Sequence, residues 1–169
     1  KKFRVQCLVL CPTRELADQV AKEVRTLARK IHNIKVLTLC GGVAFGPQKG
    51  SLEHGAHIVV GTPGRVEEHL RKQNLSLENL DTFVLDEADR MLDMGFGESI
   101  AAIIQYLPAR RQNMLFSATY PHNIEELASN VMVKPQRVEA LDQHDANTIR
   151  QLLCQISDKS KRTEGLVSL

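Results

Sequence analysis

Short apolar segments of strand length alternate with segments of helical periodicity along most of this 169-residue chain. This alternation favours a parallel sheet, because each parallel strand needs a crossover connection and the crossover helices cover both faces. The sequence therefore predicts an α/β fold in three layers, with a mostly parallel sheet flanked by helices on both faces. The predicted strands are 5–10, 35–40, 57–60, 82–86, 113–116 and 136–140, and the predicted helices are 13–30, 47–53, 62–72, 97–107 and 122–131.

Composition excludes several classes of protein. Apolar residues make up 43% of the chain and charged residues 25%, which is typical of one globular domain. A net charge of +2 excludes a binder that acts by bulk positive charge, and 4% aromatic residues disfavour a single-strand reader built on stacking. None of the four cysteines forms a C-x-x-C pair, which excludes zinc-ribbon and thioredoxin-like sites. Cys7, Cys11 and Cys40 lie in apolar runs, which favours buried, reduced thiols and a cytoplasmic location. No apolar run is long enough to span a membrane.

A row of acids ends the predicted strand 82–86 and continues beyond it: Asp86, Glu87 and Asp89. Carboxylates at a strand end suit Mg²⁺, which prefers oxygen ligands and keeps several of its waters. In nucleoside triphosphatases such an acid holds Mg²⁺, and its neighbour can polarise the attacking water. An isolated D-E-x-D also occurs by chance in a solvated turn that caps a helix, so both interpretations stay open on these residues alone.

Two predicted helices begin with a Thr, a neighbouring Pro and an Arg in the first turn, at residues 12–14 and 62–65. Free N–H groups at a helix N-terminus bind phosphate, whereas an Arg there opposes the helix dipole unless it has an anionic partner. Gly41 and Gly42 form a third loop after a strand, where the backbone can approach a ligand closely. Well-capped helices and a plain turn are the alternatives for these three segments.

Two hydroxyl residues, Ser117 and Thr119, follow the predicted strand 113–116. In a parallel sheet they would lie at the same edge as the acids of a neighbouring strand and could hydrogen-bond to them. The alternative is that they cap the following helix, which Pro121 supports.

Together these segments resemble the motifs of the DEAD-box ATP-dependent RNA helicases, of bacterial type. The resemblance covers nearly all of residues 5–140 and implies the first RecA-like domain of such an enzyme. It further implies that ATP and Mg²⁺ are cofactors and that ATP hydrolysis drives RNA unwinding or remodelling. The matching segments are 12–17 (PTRELA), 41–42 (GG), 62–65 (TPGR), 86–89 (DEAD), 90–96 (RMLDMGF) and 117–119 (SAT).

The resemblance also assigns roles to individual residues. Asp86 would hold Mg²⁺ through water, Glu87 would orient the hydrolytic water, and both would contact ATP. Asp89 would bond the hydroxyls of Ser117 and Thr119 and so link the nucleotide site to RNA. The loops after the other strands would grip the RNA backbone, largely without regard to base sequence. Those residues are Pro12, Thr13, Arg14, Gly41, Gly42, Thr62, Pro63, Gly64 and Arg65.

The sequence departs from the family pattern in one respect. No glycine is followed by Lys, so these 169 residues contain no phosphate-binding G-x-x-x-x-G-K-[ST] loop. We therefore expect residues 1–141 to be a partial first RecA-like domain without the strand that bears this loop. Residues 142–148 are then an interdomain linker, and residues 149–169 begin a second, truncated RecA-like domain.

Three expectations follow from the missing loop. The fragment alone is inactive toward ATP and does not unwind RNA, and the sheet has a gap, or a non-native neighbour, beside residues 113–116. An RNA-backbone-binding α/β module without its own ATPase is the main alternative for the function. A nuclease centred on Asp86, Glu87 and Asp89 is a weaker one, because no other acid cluster or nearby His completes a two-metal site.

Overall fold

The computed structural model of the protein describes residues 4–140. The predicted linker and the predicted start of a second domain lie outside these residues. The chain up to Pro135 forms one compact unit, and residues 136–140 belong to a second unit. The strand predicted at 136–140 is wrong, because these residues have no regular secondary structure.

Five strands form one sheet in the order β2-β3-β1-β4-β5, and every pair of neighbours is parallel. The strands are β1 (Cys7–Leu10), β2 (Val36–Leu39), β3 (Ile58–Gly61), β4 (Thr82–Leu85) and β5 (Gln112–Leu115). The central strand is β1, in which Leu8 pairs with Val59 on one side and with Phe83 on the other. All five carboxyl ends therefore lie at one edge of the sheet.

Six α-helices connect or follow the strands. They are α1 (Arg14–Leu27), α2 (Phe45–Glu53), α3 (Pro63–Arg71), α4 (Ala88–Asp93), α5 (Gly97–Ile104) and α6 (His122–Val131), with a 3-10 turn at Ala28–Lys30 after α1. Five of these were predicted, with boundaries that differ by a few residues. The six-residue helix α4 was not, because it is too short to display a helical period and begins inside the row of acids.

Side chains of the strands alternate between two apolar cores, one on each face of the sheet. On one face, Leu8 and Phe83 pack in a cluster that includes residues of α3, α5 and α6. On the other face, Val9 and Val84 pack with Ala17 and other residues of α1. The predicted three-layer α/β arrangement is thus confirmed.

The two edges of the sheet differ. Helices α1 and α2 both contact the edge strand β2. The opposite edge strand, β5, pairs only with β4 within residues 4–140, and its residues are partly or fully exposed. The next residue, Phe116, leaves 54% of its surface exposed. As expected, the sheet described here is open beside residues 113–116. Among the same residues no helix is long and apolar enough to cross a membrane.

Candidate functional site

Five of the six matching segments follow strands, so the parallel sheet brings them to one edge, and the sixth, 90–96, continues from 86–89. Across the sheet their order is 41–42 after β2, 62–65 after β3, 12–14 after β1, 86–89 after β4 and 117–119 after β5. This order differs from the chain order because β1 lies between β3 and β4. The three predicted RNA-contacting segments are therefore neighbours, and so are the two segments of acids and hydroxyls.

Asp89 is bonded directly to the loop after β5. Its Oδ2 accepts hydrogen bonds from the Thr119 backbone N–H at 3.0 Å and from the Thr119 hydroxyl at 2.8 Å. The Asp89 backbone N–H donates to Ser117 Oγ at 3.3 Å, and the Ser117 hydroxyl donates to the Thr119 carbonyl at 2.7 Å. These bonds bring Asp89, Ser117 and Thr119 together, and we call these three residues and the adjacent strand-end acids Asp86 and Glu87 the acid–hydroxyl cluster.

These bonds favour the ionised form of Asp89. Partial burial opposes its ionisation, but the bonds from Thr119 and from the Arg90 backbone outweigh burial and hold the pKa below its ordinary value. Backbone bonds hold the same two loops in register: Ala88 N–H donates to the Phe116 carbonyl at 3.0 Å, in the line of the β4–β5 ladder. The cluster is therefore a connection between two loops as well as a group of acids.

Glu87 has a left-handed backbone, with φ 50° and ψ 53°. Such a conformation costs a non-glycine residue about 1–2 kcal/mol, and strain of this kind is often found at functional sites. It turns the chain from β4 directly into α4. The Glu87 carboxylate is 3.1 Å from the Arg90 guanidinium, and 41% of its side chain is exposed. This carboxylate is therefore accessible to solvent.

The half-buried Asp86 differs electrostatically from Asp89. Burial raises the pKa of the Asp86 carboxyl, a hydrogen bond with the Glu87 backbone partly opposes this, and the Glu87 charge raises it further. A nearby cation would reverse that effect and favour the carboxylate. Since Mg²⁺ takes one or two protein carboxylates and keeps several waters, the Asp86 carboxylate suits such an ion.

The other three loops form a second surface, which we call the basic loop surface. It consists of Thr13, Arg14, Gly41, Gly42, Thr62, Gly64 and Arg65. Thr13 accepts a hydrogen bond from Leu16 N–H at 3.2 Å and caps α1, as predicted, while Arg14 in the first turn is half exposed. Pro12 and Pro63, which the resemblance also assigned to RNA contact, are buried beneath this surface.

The glycine doublet is bonded to the start of α3. Gly41 N–H donates to Thr62 Oγ1 at 3.3 Å, and the Arg65 guanidinium donates to the Val43 carbonyl at 2.9 Å. Gly42 adopts a φ of +73°, which favours glycine. A Cβ added to either glycine would meet nothing within 4 Å, so the doublet backbone faces open space. Arg65, by contrast, is only 12% exposed.

Two buried thiols lie beneath the edge and show that the loops are electrostatic neighbours. Burial and the charge of Asp18 raise the pKa of Cys40, while the Thr62 backbone and the guanidinium groups of Arg14 and Arg65 lower it. Both arginines of the basic loop surface therefore lie close enough to Cys40 to affect its pKa.

The pKa of Cys11 reflects the charges of the acid–hydroxyl cluster in the same way. Burial, with the charges of Asp86, Cys40 and Glu87, raises its pKa to about 12. Cys11 thus lies near both the acid–hydroxyl cluster and Cys40. The two surfaces adjoin along the sheet edge, as the position of β1 between β3 and β4 requires.

Sequence reasoning missed one glycine that positions the basic loop surface. A Cβ on Gly61 would be 2.3 Å from the Leu39 carbonyl oxygen and 2.8 Å from Val66 Cγ2. Only glycine permits this close approach of β3 to β2, after which Thr62 N–H donates to the same Leu39 carbonyl at 3.0 Å. A glycine at the end of an apolar strand is the sequence signal that indicates such an approach.

The buried pair Gln48 and His69 was missed as well. His69 is fully buried, which was not predicted from the sequence. Its Nε2 is 3.2 Å from Gln48 Oε1, and Gln48 donates to the Cys40 carbonyl at 2.9 Å. The position of His69 beside Val66 and Leu70, on the apolar side of α3, was the available signal. Within residues 4–140 no three His, Cys, Asp or Glu residues are grouped to hold a metal ion.

The sequence pattern of the DEAD/DEAH box helicases matches residues 1–127, and the chain belongs to this family. The fold agrees: a DEAD box protein from the hyperthermophile Methanococcus jannaschii superposes with a TM-score of 0.72 at 41% identity. That superposition covers 78% of this chain and 36% of the other. The sheet described above is therefore that of a DEAD-box RecA-like domain.

The chain is also similar in sequence to bacterial RNA helicases. The chain is 53% identical over 160 residues to the ATP-dependent RNA helicase DbpA of Escherichia coli K12. This alignment covers 94% of this chain and 35% of that protein. It is 42% identical over 163 residues to the DEAD-box ATP-dependent RNA helicase CshA of Geobacillus kaustophilus, with 95% and 34% covered. The chain thus spans about a third of the length of these relatives.

Proposed function

We propose that the protein containing this chain is an ATP-dependent RNA helicase, and that the chain supplies part of its first RecA-like domain. The observation that carries the proposal is the bonding of Asp89 to Ser117 and Thr119 beside the strand-end acids. It connects a row of acids suited to nucleotide chemistry with a loop on the next strand. A movement of the loop after β4 would shift the position of the loop after β5, and the reverse. Coupling ATP hydrolysis to RNA rearrangement requires such a connection.

Asp86 and Glu87 have different roles in this proposal. Asp86 would hold Mg²⁺ through water, and the bound ion would neutralise charge on the ATP phosphates. Glu87 would orient the attacking water as a hydrogen-bond acceptor. Its present partner, Arg90, is 58% exposed, and surface ion pairs of this kind contribute little, so Glu87 can exchange that partner for water.

The basic loop surface would hold the RNA backbone. Its accessible groups are the glycine doublet, the start of α3 and the exposed Arg14, all of which suit phosphate oxygens. Contacts of this kind carry little base specificity, so the substrate class would be RNA in general. We further propose that the nucleotide site is completed by the phosphate-binding loop of this first RecA-like domain, which these 169 residues lack, and by a second RecA-like domain of the same protein.

We also propose that the protein acts in the cytoplasm. The structure describes three cysteines, Cys7, Cys11 and Cys40, and all three are free thiols. Reduced, largely buried thiols are typical of proteins that work in a reducing compartment.

The experiment is to measure RNA-stimulated ATP hydrolysis and the unwinding of a short RNA duplex by the intact protein. Thr119→Val removes the hydroxyl bond to Asp89 and should reduce unwinding more than it reduces ATP hydrolysis. Thr26→Val, the same substitution at an exposed threonine on α1, should change neither activity. RNA binding by an intact protein that hydrolyses no ATP would instead support a binding module.

A further inference from the structure

We propose that Gln48 and His69 are positioning residues that fix the glycine doublet against the start of α3 for RNA contact. The inference rests on the proposed RNA-binding role of the basic loop surface. Gln48 lies on α2 and His69 on α3, and both are buried. His69 is fully buried and only 7% of Gln48 is exposed, so an effect on RNA would pass through the loop that they hold.

The hydrogen-bonding chemistry of this pair permits one arrangement. The Cys40 carbonyl can only accept, so the Gln48 amide nitrogen must face it, at 2.9 Å. The amide oxygen of Gln48 then faces His69 Nε2 at 3.2 Å, and because it too can only accept, Nε2 must carry the proton. His69 Nδ1 is buried and has no hydrogen-bond partner among the described residues. A neutral imidazole with its proton on Nε2 fits these contacts.

Helix α3 also holds the far end of the loop that contains the glycine doublet, where this loop enters α2. The His69 ring stacks on Phe45, the first residue of α2, with ring centroids 4.3 Å apart and planes inclined by 10°. Lys72 Nζ lies 4.2 Å from the Phe45 centroid, a cation–π distance. With the Arg65 bond to the Val43 carbonyl, α3 and Lys72 hold the middle and the end of the loop, and Gln48 of α2 holds its beginning at Cys40.

This arrangement is unusual for a helix interface whose only task is to pack. Buried polar pairs are not needed for packing, because apolar groups of the same shape can replace both partners at little cost. The loop they hold contains two exposed glycines, which have the greatest conformational freedom of any residue. Holding such a loop in its binding conformation raises affinity by reducing the entropy lost on binding. Gln48 and His69 therefore act on RNA affinity through the glycine doublet.

The test uses the intact protein and measures the Kd for single-stranded oligouridylate by fluorescence anisotropy. His69→Leu removes the Gln48–His69 hydrogen bond, and Gln48→Met removes that bond and the bond to the Cys40 carbonyl. We expect His69→Leu to raise Kd about 3- to 10-fold, the effect of one net hydrogen bond, and Gln48→Met to raise it at least as much. His69→Gln keeps a donor for Gln48 Oε1 and should restore nearly normal affinity. The RNA concentration that half-saturates ATP hydrolysis should rise in parallel, while turnover at saturating RNA stays unchanged.

Melting temperatures separate positioning from a purely structural role. Lower melting temperatures with normal RNA affinity, in Gln48→Met or in His69→Leu, would overturn the proposal. If Gln48→Met does not fold, the comparison of His69→Leu with His69→Gln decides: equal RNA affinities overturn the proposal, and weaker binding by His69→Leu alone supports it.

Arg14→Ala, at an exposed residue of the basic loop surface, distinguishes failure of this inference from failure of the proposed function. Weaker RNA binding by Arg14→Ala, with normal binding by Gln48→Met and His69→Leu, would overturn the positioning role alone. Normal binding by all three variants would overturn the basic loop surface as an RNA site, and the positioning role with it.

Discussion

The acid–hydroxyl cluster and the basic loop surface lie along the same sheet edge, yet different interactions fix their positions. In the cluster, functional side chains bond directly to one another and to the next loop, as Asp89 does with Thr119. In the basic loop surface the exposed groups are largely backbone, and a buried layer that includes Gln48 and His69 holds them.

This difference follows from the chemistry proposed for each surface. A carboxylate that must meet a metal ion or a water has to remain accessible, so its supports are at the surface as well. A backbone N–H that binds a phosphate cannot be oriented by a side chain of its own. The conformation of the whole loop must therefore be fixed by the buried residues beneath it. The cluster also lies beside the open strand β5, whereas the basic loop surface lies toward the covered edge.

Glu87→Gln should have the largest effect, and it tests the acid–hydroxyl cluster alone. The amide keeps the size of the side chain but loses the basicity of the carboxylate, so ATP turnover by the intact protein should fall about 100-fold or more. ATP binding, measured with a fluorescent nucleotide, should persist. Glu23→Gln, on the exposed side of α1, is the matched control. Normal turnover in Glu87→Gln would remove this residue from the mechanism.

Gly61→Ala tests whether the basic loop surface depends on close backbone packing. The added Cβ would collide with the Leu39 carbonyl and with Val66, and we expect a loss of about 1–3 kcal/mol in the free energy of unfolding. Gly46→Ala, in α2, meets nothing within 4 Å and should be neutral or slightly stabilising. Urea denaturation of both variants measures the difference. Equal stabilities would contradict the close approach of β3 to β2.

Arg65→Ala tests how the basic loop surface binds RNA. We expect Kd to rise about tenfold for RNAs of different sequence, and the salt dependence of binding to decrease by about one unit of slope. A loss confined to one RNA sequence would indicate base recognition instead. Weaker binding with an unchanged salt slope would mean that Arg65 acts only through its bond to Val43. Arg65→Lys keeps the charge without the guanidinium geometry and separates these two contributions.

The smallest expected effect is a pH dependence of stability that originates at His69. Burial lowers its pKa, as do the charges of Arg65 and Lys72, while Glu68 opposes them. Because the folded pKa lies below the ordinary value of 6.5, the unfolded chain binds more protons in that range. The stability from neutral His69 is therefore present above pH 6.5 and decreases as the pH falls toward the folded pKa.

Urea titrations between pH 5 and pH 8 would measure this effect, with His69→Gln as the control because glutamine does not titrate. The difference between the wild type and this variant isolates His69 from the other histidines. A difference that does not change with pH would contradict the buried neutral state.

The sheet, its flanking helices and the motif positions could be predicted because each depends on local pattern. Apolar runs gave all five observed strands, and the motif residues followed from their places after those strands. The strand predicted at 136–140 failed because a strand needs a hydrogen-bonded neighbour, and a sequence pattern does not supply one. The Gln48–His69 pair was missed for a similar reason: the two residues are 21 positions apart, and only the packing of α2 on α3 joins them.

The buried thiol of Cys11 has a practical consequence for probing both surfaces. With a pKa of about 12, it is almost entirely protonated at neutral pH, and thiols react with maleimides as thiolates. Burial and raised pKa values also protect Cys40 and, less completely, Cys7. Among the described cysteines, none should therefore compete strongly with a new one introduced on an exposed loop. Pairs of fluorophores attached in this way could follow the distance between the two surfaces while nucleotide and RNA are added.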